Sequence, residues 1–144
     1  MNKMQIAIDF DGTCVTHEFP KVGKDIGAIP VLKKLVQKGH QLILFTMRSD
    51  HDAECNSASP EYPNIKGGTY LSDAVNWFNE NDIPLFGKNV NPNQLSWTKS
   101  PKAYAQLYID DAALGCPLKF THISDRPYVD WVKVEKMLKE MGVL

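Results

Sequence analysis

Two aspartates, Asp9 and Asp11, stand two residues apart at the end of the apolar run Gln5-Ile6-Ala7-Ile8 and are followed by Gly12 and Thr13. A carboxylate is costly to take out of water unless a cation, a proton or a positive side chain neutralises it. Where a buried strand hands over to a loop, such a pair is a candidate site; the competing reading is a plain Asp-Gly turn. A second acidic pair, Asp110-Asp111, closes another apolar segment, Leu107-Tyr108-Ile109. Between them the run Gln41-Leu42-Ile43-Leu44-Phe45 ends in Thr46-Met47-Arg48-Ser49-Asp50. A threonine hydroxyl can hold a phosphate oxygen and a guanidinium can grip two of them. Equally, Thr46 can cap the following turn, and Arg48 can pair with Asp50 or Asp52 at the surface. Three or four carboxylates gathered at one place repel each other unless a hard divalent cation sits among them. Oxygen ligands beside a phosphate suit Mg2+.

The elements that must gather these groups follow from the pattern of apolar residues. Continuous apolar runs joined by a helical segment predict parallel strands with a right-handed crossover, which places Thr46 beside Asp9. Helices are expected after Pro30 (Val31, Leu32, Leu35 and Val36, ended by Gly39) and from Thr69 (Leu71, Ala74, Val75 and Phe78, with Trp77 on the flank, closed by Asn81-Asp82). A short third strand is expected at Ile83-Pro84-Leu85-Phe86 and a last one over Leu118 to Ile123. A C-terminal helix follows Pro127, with Val129, Val132, Met137, Leu138 and Met141 inward and Trp131 over the sheet edge. The expected fold is α/β: a three-layer Rossmann-like parallel sheet with helices on both faces. Ligands of such sheets lie outside the carboxyl ends of the strands, where the acidic pairs stand.

A chain of 144 residues suits one domain over 1–144. Its net charge of -1, with no basic run, gives no reason to expect general nucleic-acid or membrane binding. Strand residues begin almost at the N-terminus, and no apolar run reaches membrane-spanning length, so the expected location is cytoplasmic. Cys14, Cys55 and Cys116 lack the spacing of a zinc site or a disulfide framework; Cys14 stands out only because it lies in the opening loop. His17 is a candidate base in that loop, with a solvated histidine as the competing reading. His51 and Asp52 have no second cluster to complete a metal site.

In order along the chain, Asp9-Phe10-Asp11-Gly12-Thr13, Thr46, Lys102 and Asp110-Asp111 match the four motifs of the haloacid dehalogenase-like superfamily of phosphatases, which the chain resembles over most of its length. The resemblance implies that Asp9 is a nucleophile forming an aspartyl-phosphate and that Asp11 is the acid and base. Thr46 and Lys102 would hold and neutralise the phosphoryl group, with Lys99 competing for the lysine's place. Gly12, Thr13, Met47 and Arg48 would line the substrate. Mg2+ would be held by Asp9, Asp11 (through its backbone carbonyl), Asp110 and Asp111. Many relatives carry a cap domain that selects the substrate; here the first gap between motifs holds a short loop and a helix and the second a helix, a strand and a long loop, which implies a capless or nearly capless member. The long loop over 49–68 is a candidate flap, with surface decoration as its rival. The expected activity is Mg2+-dependent phosphomonoester hydrolysis on a phosphorylated substrate that the sequence does not name. The alternatives are a phosphate-binding or regulatory protein without efficient turnover, or a phosphotransferase. An open, capless site of this kind serves large substrates or is covered by another subunit, so a homo-oligomer is among the expectations.

Overall fold

A computed structural model describes residues 2–51, 55–56 and 64–144. In chain order the elements are β1 (Gln5–Ile8), α1 (Ala28–Gln37), β2 (Gln41–Leu44), β3 (Asp50–His51), β4 (Cys55–Asn56), β5 (Asn64–Ile65), β6 (Gly68–Thr69), α2 (Tyr70–Glu80), β7 (Gly87–Lys88), β8 (Leu107–Ile109), β9 (Leu118–Lys119), β10 (Tyr128–Val129) and α3 (Trp131–Glu140). Four of the strands form one parallel sheet in the order β7-β2-β1-β8. The register sets Ile8 opposite Leu44 and Ile109, and Leu44 opposite Lys88. All four strands therefore end at one level, which is the α/β Rossmann-like arrangement expected.

Alternation along the strands divides the sheet into two faces. Ile6, Ile8, Leu42, Leu44 and Ile109 join one apolar cluster with Val31, Leu32 and Leu35 of α1, Ala74, Trp77 and Phe78 of α2, and Trp131, Val134 and Leu138 of α3. All three helices thus share one core. Ala7 and Ile43 are buried but lie outside that cluster. On their side the cover is the irregular connection 89–106: Asn91 Nδ2 donates to Gln5 Oε1 at 2.7 Å, and Tyr108 donates its hydroxyl hydrogen to the Ala103 carbonyl at 2.6 Å. That face is covered by this irregular connection, while helices were expected on both faces. The reason is visible in the segment, whose Asn91, Pro92, Asn93 and Pro101 make turns and deny it a helical stripe.

Gly39, at φ 90°, ends α1 as expected, donating its N–H to the Val36 carbonyl. Other expectations are corrected. The third strand is Gly87–Lys88 rather than 83–86, since Ile83 turns into the core while Pro84 has no N–H for a ladder. Leu118–Lys119 pairs antiparallel with Tyr128–Val129 in a separate two-stranded ribbon, and no strand runs on to Ile123. In α3, Val132, Met137 and Met141 are exposed while Trp131, Val134 and Leu138 are buried. The helix is rotated from the expected phase because Trp131 is anchored, its Nε1 donating to the Thr13 carbonyl at 2.7 Å. Trp77 is likewise core rather than flank, meeting Phe10 edge-on at 5.7 Å. The described part of 49–68 is no plain loop: β3 pairs with β6 and β4 with β5, both antiparallel. Asp52, one of the surface partners proposed for Arg48, and most of the suggested flap tip lie outside the described residues. No described helix is long and apolar enough to cross a membrane.

Candidate active site

The backbone ladder carries the chemistry-bearing residues to one place. Asp9 N–H donates to the Ile109 carbonyl at 3.0 Å and Phe45 N–H to the Ile8 carbonyl at 2.8 Å, so the residues just past β1, β2 and β8 stand side by side. The loop after β1 is then pinned from behind: Val129 N–H donates to the Gly12 carbonyl at 3.0 Å, and Trp131 holds the Thr13 carbonyl. Gly12 has φ 81°, and a Cβ there would strike the His17 imidazole and the Asp111 carboxylate. Glycine is therefore required both by conformation and by the closeness of the acidic cluster.

Carboxylate oxygens of Asp9, Asp110 and Asp111 lie within 4.8 Å of one another. The buried Thr13 hydroxyl donates to Asp9 Oδ2 at 2.9 Å, lies 3.3 Å from Asp111 Oδ1 and accepts the Asp111 N–H at 3.0 Å. His17 Nε2 meets Asp111 Oδ2 at 2.7 Å. Burial, then the hydrogen-bonded Asp111 and the charge of Asp110, pushes the Asp9 carboxyl up to about 8. Burial also raises Asp110, whereas the hydrogen bonds from His17 and Asp9 outweigh burial at Asp111 and hold it below the ordinary range. The trio is thus a compact set of hard oxygen donors short of positive charge, and its donor chemistry fits a divalent cation such as Mg2+.

Asp11 belongs to a different assembly. Both of its oxygens accept from Arg48, Nε to Oδ2 and Nη2 to Oδ1, each at 2.8 Å. The structure places its side chain with Arg48 and outside the cation-ready trio. Arg48 is buried, so it pairs neither with Asp50, one of the surface partners weighed from the sequence, nor with solvent. Asp50 instead caps α2, accepting from Ser72 N–H at 3.0 Å and from its hydroxyl at 2.5 Å, contacts that lower its carboxyl.

Thr46 follows β2 at the level of Asp9. Its N–H donates to Asn89 Oδ1 at 2.7 Å and its hydroxyl accepts Arg48 N–H at 3.1 Å, leaving the hydroxyl hydrogen pointed at no described group. Met47 is almost wholly exposed. Lys102 is not in contact with the trio: its ammonium lies 5.6 Å from the centre of the Tyr108 ring, and among the described residues neither it nor Lys99 forms an ion pair. Alternation puts Tyr108 and Asp110 on the same side of β8, so Lys102 stands one strand step behind the acidic end. Cys14 is buried, donates to the Asp9 carbonyl at 3.3 Å, and has its thiol pushed well up by burial, which is the setting of an inert cysteine.

His17 as the partner of Asp111, Asn89 as the partner of Thr46, and Trp131 behind the loop had no assignment from sequence. The Asn-Pro-rich stretch after Lys88 and the lone tryptophan opening α3 were the only hints of the last two.

No protein-family model matches the chain, and no curated protein does. Among solved structures, a conserved protein from Bacteroides thetaiotaomicron superimposes with a TM-score of 0.69 at 30% sequence identity, covering 97% of this chain and 93% of that one. With that identity over nearly the whole of both chains, this chain belongs to the same family as the conserved Bacteroides thetaiotaomicron protein.

Proposed function

We propose that the chain is a Mg2+-dependent phosphomonoester hydrolase of the haloacid dehalogenase-like type, acting through an aspartyl-phosphate. The observation that carries this reading is the trio Asp9, Asp110 and Asp111 at the ends of two adjacent parallel strands, with its oxygens within 4.8 Å, beside Thr46 at the end of a third. Asp9, Asp110 and Asp111 would hold Mg2+, which when bound supplies positive charge to the phosphate oxygens and to ionised Asp9. An Asp9 oxygen attacks phosphorus, and the ester P–O bond breaks as the new bond forms. Asp11 passes a proton to the departing oxygen and later takes one from the water that releases phosphate and restores Asp9. The Thr46 hydroxyl donates to a phosphoryl oxygen, and Lys102 offsets its charge after swinging off Tyr108.

One observation favours a second reading. Both Asp11 oxygens already accept from Arg48, which suits a phosphate-binding protein without efficient turnover as well as it suits an enzyme. Hydrolysis of an aryl phosphate separates the two. Turnover that requires Mg2+ and disappears in Asp9→Asn supports the enzyme; a wild-type rate no greater than that of Asp9→Asn overturns it.

A further inference from the structure

Arg48 is the one buried arginine among the described residues, and all five of its N–H donors are spoken for. Nε and one Nη2 hydrogen grip Asp11. The other Nη2 hydrogen goes to the Lys21 carbonyl at 2.8 Å, and Nη1 serves the Tyr70 carbonyl at 3.1 Å and the Pro20 carbonyl at 3.4 Å. The guanidinium carbon lies 5.1 Å from the ring centres of both Phe10 and Phe19. With its side chain 1% exposed between these contacts, the guanidinium turns almost no surface to an incoming anion. Arg48 is a substrate-binding candidate in the sequence, with surface pairing as its rival; in the structure it has neither a free donor nor exposed surface to offer a phosphate.

We infer that Arg48 is a positioning residue: it fixes the carboxylate of Asp11 beside the acidic trio, through a fork anchored on the loop after β1 and on the first turn of α2, and does not itself bind substrate. This rests on the phosphatase reading above. The anchoring carbonyls come from Pro20, Lys21 and Tyr70, so the fork ties separate segments of the chain to one orientation of Asp11. Each Asp11 oxygen accepts one Arg48 bond and keeps a second lone pair, which is what a base facing water needs. Lysine cannot reproduce the fork, because an ammonium is a point charge without the planar pair of donors.

The test is a double-mutant cycle on Mg2+-dependent aryl phosphate hydrolysis with Arg48→Lys, Asp11→Asn and the two combined. A residue acting only through Asp11 lowers kcat in Arg48→Lys, on the order of tenfold, with KM unchanged. The double variant then turns over at the rate of Asp11→Asn alone. A raised KM with kcat retained, or losses that multiply in the double variant, overturns the positioning role. Absence of Mg2+-dependent turnover in the wild-type chain instead overturns the phosphatase reading on which it rests. A second measurement does not depend on activity or on the folding of Arg48→Lys. The 15N-labelled Arg48 Nε–H resonance of the wild-type chain should shift in Asp11→Asn and stay in place when inorganic phosphate and Mg2+ are added. A resonance moved by phosphate and indifferent to Asp11→Asn contradicts the inference.

Discussion

Four aspartates crowd the ends of β1 and β8, and the protein treats them in two ways. Asp11 receives a buried guanidinium that takes both of its oxygens. Asp9, Asp110 and Asp111 receive a hydroxyl, an imidazole and each other, and burial, with the neighbouring Asp111 and Asp110, pushes the Asp9 carboxyl up to about 8. The difference teaches where an external charge belongs. Among the described residues the fold supplies Arg48 to one carboxylate and no arginine or lysine to the neighbouring trio, and on the proposed reading those hard oxygen donors would take a divalent ion.

Removing the proposed nucleophile breaks the contrast most severely. Asp9→Asn should abolish aryl phosphate hydrolysis while raising the thermal stability of the metal-free protein, because an amide needs neither the proton that folded Asp9 holds below about pH 8 nor the buried charge it carries above it; steady-state assay and calorimetric melting check the two halves. Next in size, Arg48→Met leaves Asp11 without its cation in a largely buried pair. It should cost about 3 kcal/mol in urea unfolding, with a corresponding fall in midpoint; a loss below half of that would place the pair among ordinary surface bridges. His17→Gln, which weakens the hold on Asp111, should lower Mg2+ affinity by about tenfold and lower the melting point of the metal-free chain only slightly.

The contrast also shows as a dependence on pH. Asp9 keeps its proton in the folded state from roughly pH 4, where the unfolded carboxylate loses it, up to about 8. Over that window the unfolded chain binds fewer protons than the folded one, so the Asp9 contribution to stability falls as pH rises. Asp111 works in the opposite sense: its lowered value stabilises the fold above the ordinary carboxylate range, and that contribution is lost as pH drops through it. If Mg2+ binds as proposed it must displace the Asp9 proton, so the rise in melting temperature on adding Mg2+ should be larger at pH 8.5 than at pH 6. An equal rise at both would remove Asp9 from the ligand set.

What could be read from the sequence, and what could not, divides along physical lines. The strand ends were legible because a continuous apolar run closed by carboxylates fits little besides a buried strand reaching the rim of its sheet. Asp9, Thr46 and Asp110 were therefore placed on one edge of one sheet, as the ladder has them. The phase of α3 was not legible, because Val132, Val134, Met137, Leu138 and Met141 allow two apolar stripes, and the choice was made by a tertiary bond from Trp131 to the Thr13 carbonyl. The two-residue strands around residues 50–69 are too short and polar to show periodicity. The pairing of Asp11 with Arg48 bridges 37 positions. Local reasoning offered the nearer Asp50 and Asp52, and nothing in residue types alone distinguishes those partners. His17, a few residues past Thr13, was read as solvated or as a base because its partner Asp111 lies 94 positions away.

The contrast between the two acidic groups is tested most directly by calorimetric titration of Mg2+ into the wild-type chain, Asp9→Asn and Asp11→Asn at pH 8.5. The expected result is binding weakened by more than about tenfold in Asp9→Asn and nearly unchanged in Asp11→Asn, whose backbone carbonyl is intact and whose side chain belongs to Arg48. Equal weakening in both variants, or no Mg2+ binding by the wild-type chain, would contradict the account.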